Sequence, residues 1–293
     1  MIFRFIGSSV MLAVGLFSGC ISHTVDLPKD QILLPADSMS KPQLLERLKE
    51  RSMAVQTMVI QQSTLKPSRM ISGEAIKDYA DVTGKIAVER PSHLRLEIEK
   101  VITLAQMVSD EKVYKVYVNQ KGKFGVGDVS APSQGAEFPY NLRPTHILDA
   151  LFVDGEQFMG KPGIDAFVRE DTLSQPDGVH SYYIILFGKS GGVSLEELWF
   201  DRTVGVMEVV RKKTYLPDGK VEADILYSDY GIFNSIPFPR KIFIKRPIEN
   251  YSLEVNIERM ELNKPVDASM FVLNRPTGVD DVDLNTGKDI NPK

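Results

Sequence analysis

From His93 to Glu99 the chain reads HLRLEIE, with Leu94, Leu96 and Ile98 on one face and Arg95, Glu97 and Glu99 on the other. That strict alternation has the period of a strand apolar on one side, and it does not suit a helix. Further strand-like runs are MAVQTMVIQQS (53–63), GKIAVER (84–90), VYKVYVN (113–119), SYYIILF (181–187), SLEELWF (194–200) and GVMEVVRKKTY (205–215). VEADILYSDY (221–230), PRKIFIKRP (239–247) and YSLEVNIERMEL (251–262) complete the set. Lys121-Gly122, Asp154-Gly155, Pro217-Asp218-Gly219 and Glu249-Asn250 read as turns between apolar runs. Consecutive strands at hairpin spacing predict an antiparallel meander rather than βαβ units.

Two segments depart from that period. Ser40-Lys41-Pro42-Gln43 supplies a helix start, with a serine N-cap and glutamine at the capping-box position. Leu44, Leu45 and Leu48 then form the apolar face of a short helix ending near Arg51. Residues 127–143 read as loop, and Ile147, Leu148, Leu151 and Phe152 follow on one face of a second helix inserted at 144–152. A single helix between two halves of a meander must bury that face against the sheet. The class is mainly β with α (α+β), without internal repeats. The chain after Phe271 is polar, ends GKDINPK and is expected to fray.

The N-terminus has its own grammar. Arg4 precedes IGSSVMLAVGLF, and no charge falls between Phe5 and Cys20, the one cysteine of the chain. A positive start, a short apolar run and small residues before a cut describe a secretory signal over residues 1–19, too short to span a bilayer comfortably. Phe17-Ser18-Gly19-Cys20 resembles the bacterial lipobox, with phenylalanine where leucine is usual. The resemblance implies lipid attachment at Cys20, which then has no thiol chemistry. The competing reading is an ordinary signal peptide with a chance cysteine. Residues 20–40, mixed in Pro, Asp and Ser, read as the acylated cysteine and a tether.

Charge and motifs exclude more than they assign. A net charge of −4 argues against a nucleic-acid partner. The histidines His23, His93, His146 and His180 show no ligand spacing, so no metal is expected. Gly188-Lys189-Ser190 lacks the first glycine of a phosphate loop, because Tyr183 stands there. Gly122, Gly125 and Gly127 have the wrong spacing for a dinucleotide fingerprint. No GxSxG elbow occurs. Asp280, Asp281 and Asp283 suit a polar tail better than a cation site. Glu196 and Glu197 alternate on a strand and face opposite sides, so they cannot act as an acid/base pair. No cofactor and no enzymatic activity are expected.

Two further stretches carry a family resemblance. TGKIAVERPSHLRLEIE is similar to the strand–Arg-Pro–strand segment of the bacterial LolA/LolB-like lipoprotein-carrier superfamily. The C-terminal hairpin, closing with Asn263, Pro265, Val266 and Phe271 and running into Pro276, Gly278 and Val279, looks like that superfamily's ending. The resemblance spans residues 41–283 and leaves 284–293 as a polar tail. It implies an open, curved antiparallel half-barrel, with short helices covering a concave face that holds the acyl chains of a lipid or lipoprotein. Arg90 matches the arginine that steadies the lid. Leu94, Leu96, Ile98, Ile147, Leu148, Leu151 and Phe152 become lid and cavity residues. The plain alternatives are a strand-end arginine in water and ordinary core packing. The anchored member of the superfamily carries a protruding apolar loop, and Phe138 and Tyr140 mark its best candidate here. Ile21 rather than aspartate follows Cys20, which under the superfamily's sorting rule implies anchoring to the periplasmic face of the outer membrane. The same fold also suits an envelope-stress sensor with a protein partner, and an unrecognised hydrolase is a third reading.

Overall fold

The computed structural model describes residues 32–290, apart from 72–74, 132–139, 190, 191, 193, 204 and 206. Cys20 and Phe138 therefore lie outside the described residues. The first helix, α1 (Lys41–Ala54), leads into β1 (Thr57–Ile71), β2 (Ala75–Asp78), β3 (Val82–Glu89) and β4 (His93–Glu99). β5 (Thr103–Ser109), β6 (Val113–Val118) and β7 (Lys123–Asp128) complete a first meander, and α2 (Pro144–Leu151) follows. The second meander comprises β8 (Asp165–Gln175), β9 (Gly178–Gly188), β10 (Ser194–Asp201) and β11 (Val209–Tyr215). It ends with β12 (Val221–Phe233), β13 (Ile236–Arg246) and β14 (Tyr251–Leu262), before the short β15 (Asp280–Asp281).

All of these strands belong to one sheet in the order β15-β7-β6-β5-β4-β3-β1-β14-β13-β12-β11-β10-β9-β8, with β2 paired to β1 alone. The first meander grows outward from β1 to β7, and α2 carries the chain to β8 at the opposite edge. The second meander then works back until β14 pairs with β1. The two end strands do not pair, so the sheet is curved and unclosed: an open half-barrel, antiparallel except where β15 joins β7. Its bend has a local source in β1. Register shifts between Ile60 and Ser63 mark a bulge, which increases twist and curvature.

α1 begins as its sequence requires, with the Ser40 backbone N–H donating to Gln43 Oε1 at 2.9 Å. It runs one turn beyond Arg51, so the first strand starts at Thr57 rather than Met53. Tertiary contacts account for the extension: Arg51 pairs with Glu208, and Ser52 Oγ donates to Asp154 (3.2 Å). Leu44 and Leu48 sink completely into the main core, beside Ile147, Ala150 and Leu151 of α2 and the concave residues of both meanders.

Two expectations are corrected at the chain's ends. Residues 32–39 are not free tether: Leu33 bridges Val179, Ala36 bridges Thr203, and the Met39 N–H donates to Tyr183 Oη (2.9 Å). Nor does the tail fray from Phe271 to Leu284. Leu273 covers Val108 and Phe124 on the outer face, while Val282 and Leu284 are buried in the main core. A Cβ on Gly125 would fall 2.4 Å from Leu284 Cδ2, so glycine there lets the tail lie against β7. Asp154-Gly155 is likewise a packing point rather than a hairpin turn, since a Cβ on Gly155 would meet Leu48 Cδ2 at 2.5 Å.

Candidate functional site

The helix α2 crosses the concave face, and the site forms where its C-terminal end meets α1 and the second meander. Leu94, Leu96 and Ile98 project from β4 into the core, as their alternation requires. Ile147, Leu151 and Phe152 are buried against that core and Leu148 is half-buried. The structure thus brings the expected apolar residues together as packed wall and packed helix. The space left beside Leu96 and Ile98 is only about 10 Å³, at most one water. A wider recess, of about 230 Å³, opens between the end of α1, the end of α2 and the β12–β13 hairpin. Val55, Leu151, Phe152, Tyr227 and Phe238 line it, with Arg51, Arg90 and Glu208 at its rim.

Polar groups hold this end closed. Arg90, just past β3, donates from Nε to the Val55 carbonyl (2.8 Å). It also forms a bidentate pair with Asp154, from Nη1 (2.9 Å) and Nη2 (2.7 Å). Its guanidinium lies 4.0 Å from the centroid of the Phe152 ring. One side chain thereby ties the exit of α1 to the segment after α2, with the planar, two-toothed geometry that arginine supplies. On the far side of the recess Arg51 pairs with Glu208 and donates to Tyr230 Oη (2.9 Å), whose hydroxyl donates to the Val209 carbonyl (2.5 Å).

The second meander adds a charge beneath the helix. Lys212 of β11 is 1% exposed, and its ammonium donates to the carbonyls of Asp149 (3.1 Å) and Phe152 (3.3 Å). These carbonyls belong to the end of α2, where the helix lacks internal donors and favours a cation. Glu196 Oε2 of β10 stands 3.5 Å from the same ammonium and is fully buried. Burial alone would pull Lys212 down, but Glu196, Asp149 and Asp154 outweigh it and hold the amine charged. Burial pushes the Glu196 carboxyl up, against the pull of Lys212.

Sequence reasoning missed Lys212, Glu196, Arg51, Glu208 and Asp154. One signal was present: Lys212 and Glu196 occupy inward positions of their strands, where Leu198 and Ile225 face the core beside them. A charge at an inward position needs a partner inside. Glu196 and Glu197 do face opposite sides, and Glu197 accepts from Trp199 Nε1 (3.3 Å) on the outer face. Tyr140, expected in a protruding loop, is instead buried, with Lys121 Nζ 5.3 Å from its ring. The exposed apolar tip is the β4–β5 turn, where Val101 is 95% exposed and Ile102 more than half. Among the described residues no cluster of His, Cys, Asp or Glu has metal-site geometry, and no helix is long and apolar enough to cross a membrane.

No family model and no curated protein matches the sequence. Solved structures do. The chain is similar to a DUF1329 family protein from Desulfovibrio piger at 13% identity, covering 78% of this chain and 95% of that one, with a TM-score of 0.52. Similar structures include a LolA superfamily protein from Nitrosomonas europaea (11% identity, 80% and 99% covered, TM-score 0.47). They also include a domain described as an outer membrane lipoprotein-sorting protein from Vibrio parahaemolyticus (10% identity, 78% and 94% covered, TM-score 0.45). At 13% identity the likeness to the Desulfovibrio piger protein is one of fold.

Proposed function

We propose that this chain is an envelope lipoprotein that takes the acyl chains of a lipid or lipoprotein into its half-barrel, with α2 as the lid. The observation that carries the reading is the closure itself. An apolar recess opens beside α2, and the helix end is held there by side-chain ties from Arg90 and Lys212 rather than by a covalent or backbone seam. At about 230 Å³ the recess is below the roughly 300–1,000 Å³ of small-molecule pockets. Uptake therefore requires α2 to swing out and the Arg90–Asp154 pair to part. Each methylene buried in exchange contributes about 0.8 kcal/mol, so a short stretch of acyl chain offsets the lost pair.

In this reading Cys20 carries the acyl anchor on the periplasmic face of the outer membrane, and no nucleotide or metal takes part. Ile32 already belongs to the docked segment, so 11 residues lie between it and Cys20, a reach of about 40 Å. Val101 and Ile102 provide an apolar tip for contact with membrane or cargo. Leu148, half-buried on the lid, is the position to probe, because Leu151→Glu would place a charge in the packed core. The purified full chain should displace a fluorescent fatty acid and release lipid to organic extraction, identified by mass spectrometry. Leu148→Glu should weaken uptake by about tenfold while the thermal transition is kept. Absence of extractable lipid together with absence of fatty-acid binding would refute the reading.

A further inference from the structure

The opposite end of α2 opens on a different recess, of about 440 Å³, and its chemistry is polar. Three guanidinium groups line it, those of Arg69, Arg143 and Arg246, against the two carboxylates of Glu222 and Glu249. Arg246 engages both carboxylates: Nε and Nη2 donate to Glu249 (3.1 Å each), and Nη2 also donates to Glu222 (3.3 Å). Arg143 is left over. It is 3% exposed, and among the described residues its guanidinium makes one hydrogen bond, from Nη2 to Asn285 Oδ1 (3.1 Å). Its Nε and Nη1 have no partner among the described residues. The Tyr114 ring lies 5.2 Å from the guanidinium, and the Asp283 and Glu249 carboxylates act on it only through space. Burial pulls Arg143 below the usual arginine range, with those carboxylates opposing, yet a guanidinium stays charged in a protein. A buried cation with spare donors calls for an anion.

The helix reinforces the demand. Arg143 is the residue before α2, and Thr145 and His146 of the first turn line the recess. Helix N-termini carry unpaired N–H groups and a partial positive charge that favour anions. His146 supplies no competing charge: burial, with Arg246 and Arg143 beside it, holds it well below the usual histidine range, and its Nδ1 sits 2.7 Å from Tyr251 Oη. We propose that this recess binds a phosphate-type oxyanion, held by the Arg143 guanidinium and the first turn of α2. The phosphate is either free or the head group of a phospholipid. The assignment does not rest on acyl binding, because it uses neither the apolar recess nor the lid.

The test uses the purified full chain and two probes, inorganic phosphate and dihexanoyl phosphatidylglycerol below its micelle concentration, each against chloride at equal ionic strength. The readouts are melting temperature and phosphorus NMR line width. Binding should raise the first and broaden the second. Arg143→Gln should lower the apparent affinity about tenfold or more, the scale of one lost charged hydrogen bond. Thr145→Glu should do the same by placing a tethered carboxylate in the site. An acidic residue in a first turn favours the helix, so this variant keeps the test decisive even where Arg143→Gln unfolds. Lys220→Gln, on an exposed turn, should respond as the parent does. Equal responses to both probes identify free phosphate as sufficient, and a response to the phospholipid alone identifies the head group. An unchanged response in Arg143→Gln and Thr145→Glu, or no response of the parent to either probe, would overturn the proposal.

Discussion

The two meanders present different chemistries to the same pair of helices. The concave surface of the first, built mainly by Ile86, Val88, Leu94, Leu96, Met107 and Val116, carries no buried charged side chain among the described residues. The second carries Phe187, Leu198 and Ile225, but sets Glu196 and Lys212 among them. Apolar contacts are non-directional, so the first meander fixes little about how a helix leans on it. Hydrogen bonds from Lys212 to two named carbonyls have one geometry, and they fix where α2 ends. The first half thus supplies a wall, and the second specifies the position of what leans on it.

The strongest way to break this contrast is Lys212→Met. It leaves Glu196 buried beside no cation and the end of α2 without a donor. A loss of about 3–5 kcal/mol is expected in urea unfolding. Adding Glu196→Leu should recover most of it, because two apolar groups replace both charges. Recovery absent in the double variant would mean that α2 needs the amine itself. On the apolar side Leu96→Ala should cost about 3 kcal/mol through lost transfer and a cavity, with no change in the exchange pattern of α2. Arg90→Gln should cost less, about 1–2 kcal/mol, because its pair with Asp154 is partly solvated. Its signature is faster hydrogen exchange in α2 and faster fatty-acid uptake, with little change elsewhere.

The smallest effect concerns the docking of residues 32–39 on the second meander, as the tail after Phe271 docks on the first. His180 Nδ1 lies 3.0 Å from Asp201 and Nε2 lies 3.0 Å from Asp177, next to Val179 and Thr203, which bridge that segment. Burial would lower the His180 pKa, but the two carboxylates outweigh it and raise it above the ordinary 6.5. The folded state therefore holds the proton more tightly than the unfolded chain. The resulting stability is complete below about pH 6.5 and is lost as pH rises through the folded pKa. His180→Gln should flatten that slope, by less than about 1 kcal/mol between pH 6 and 8. An unchanged slope would place the pH dependence elsewhere.

Much of the sheet is legible because one-sided burial leaves alternation, as in His93–Glu99, which matches β4 residue for residue. Where both faces are covered the signal fades. β5 was missed because Val108 is buried on the outer face by Leu273 while Met107 faces the core. β8 was missed for the opposite reason, as an edge strand with no fully buried position. The apolar residues of β4 and α2 and Arg90 stand out by residue type and resemblance, and the structure places them in the core and beside Asp154. The charged side of the site does not stand out, since Lys212 meets α2 across 60 or more residues of chain.

By itself the sequence determined the strand-rich class, the meander order, both helices and the apolar faces, because these are local periods that burial must satisfy. The tertiary structure decided the rest. It settled which strands close the two meanders through β1 and β14 and how far the tail and the N-terminal segment dock. It also settled which buried charges find partners, leaving Arg143 with donors to spare. Partnering of a charge depends on groups brought within about 3 Å by the whole fold, and no local pattern records that distance.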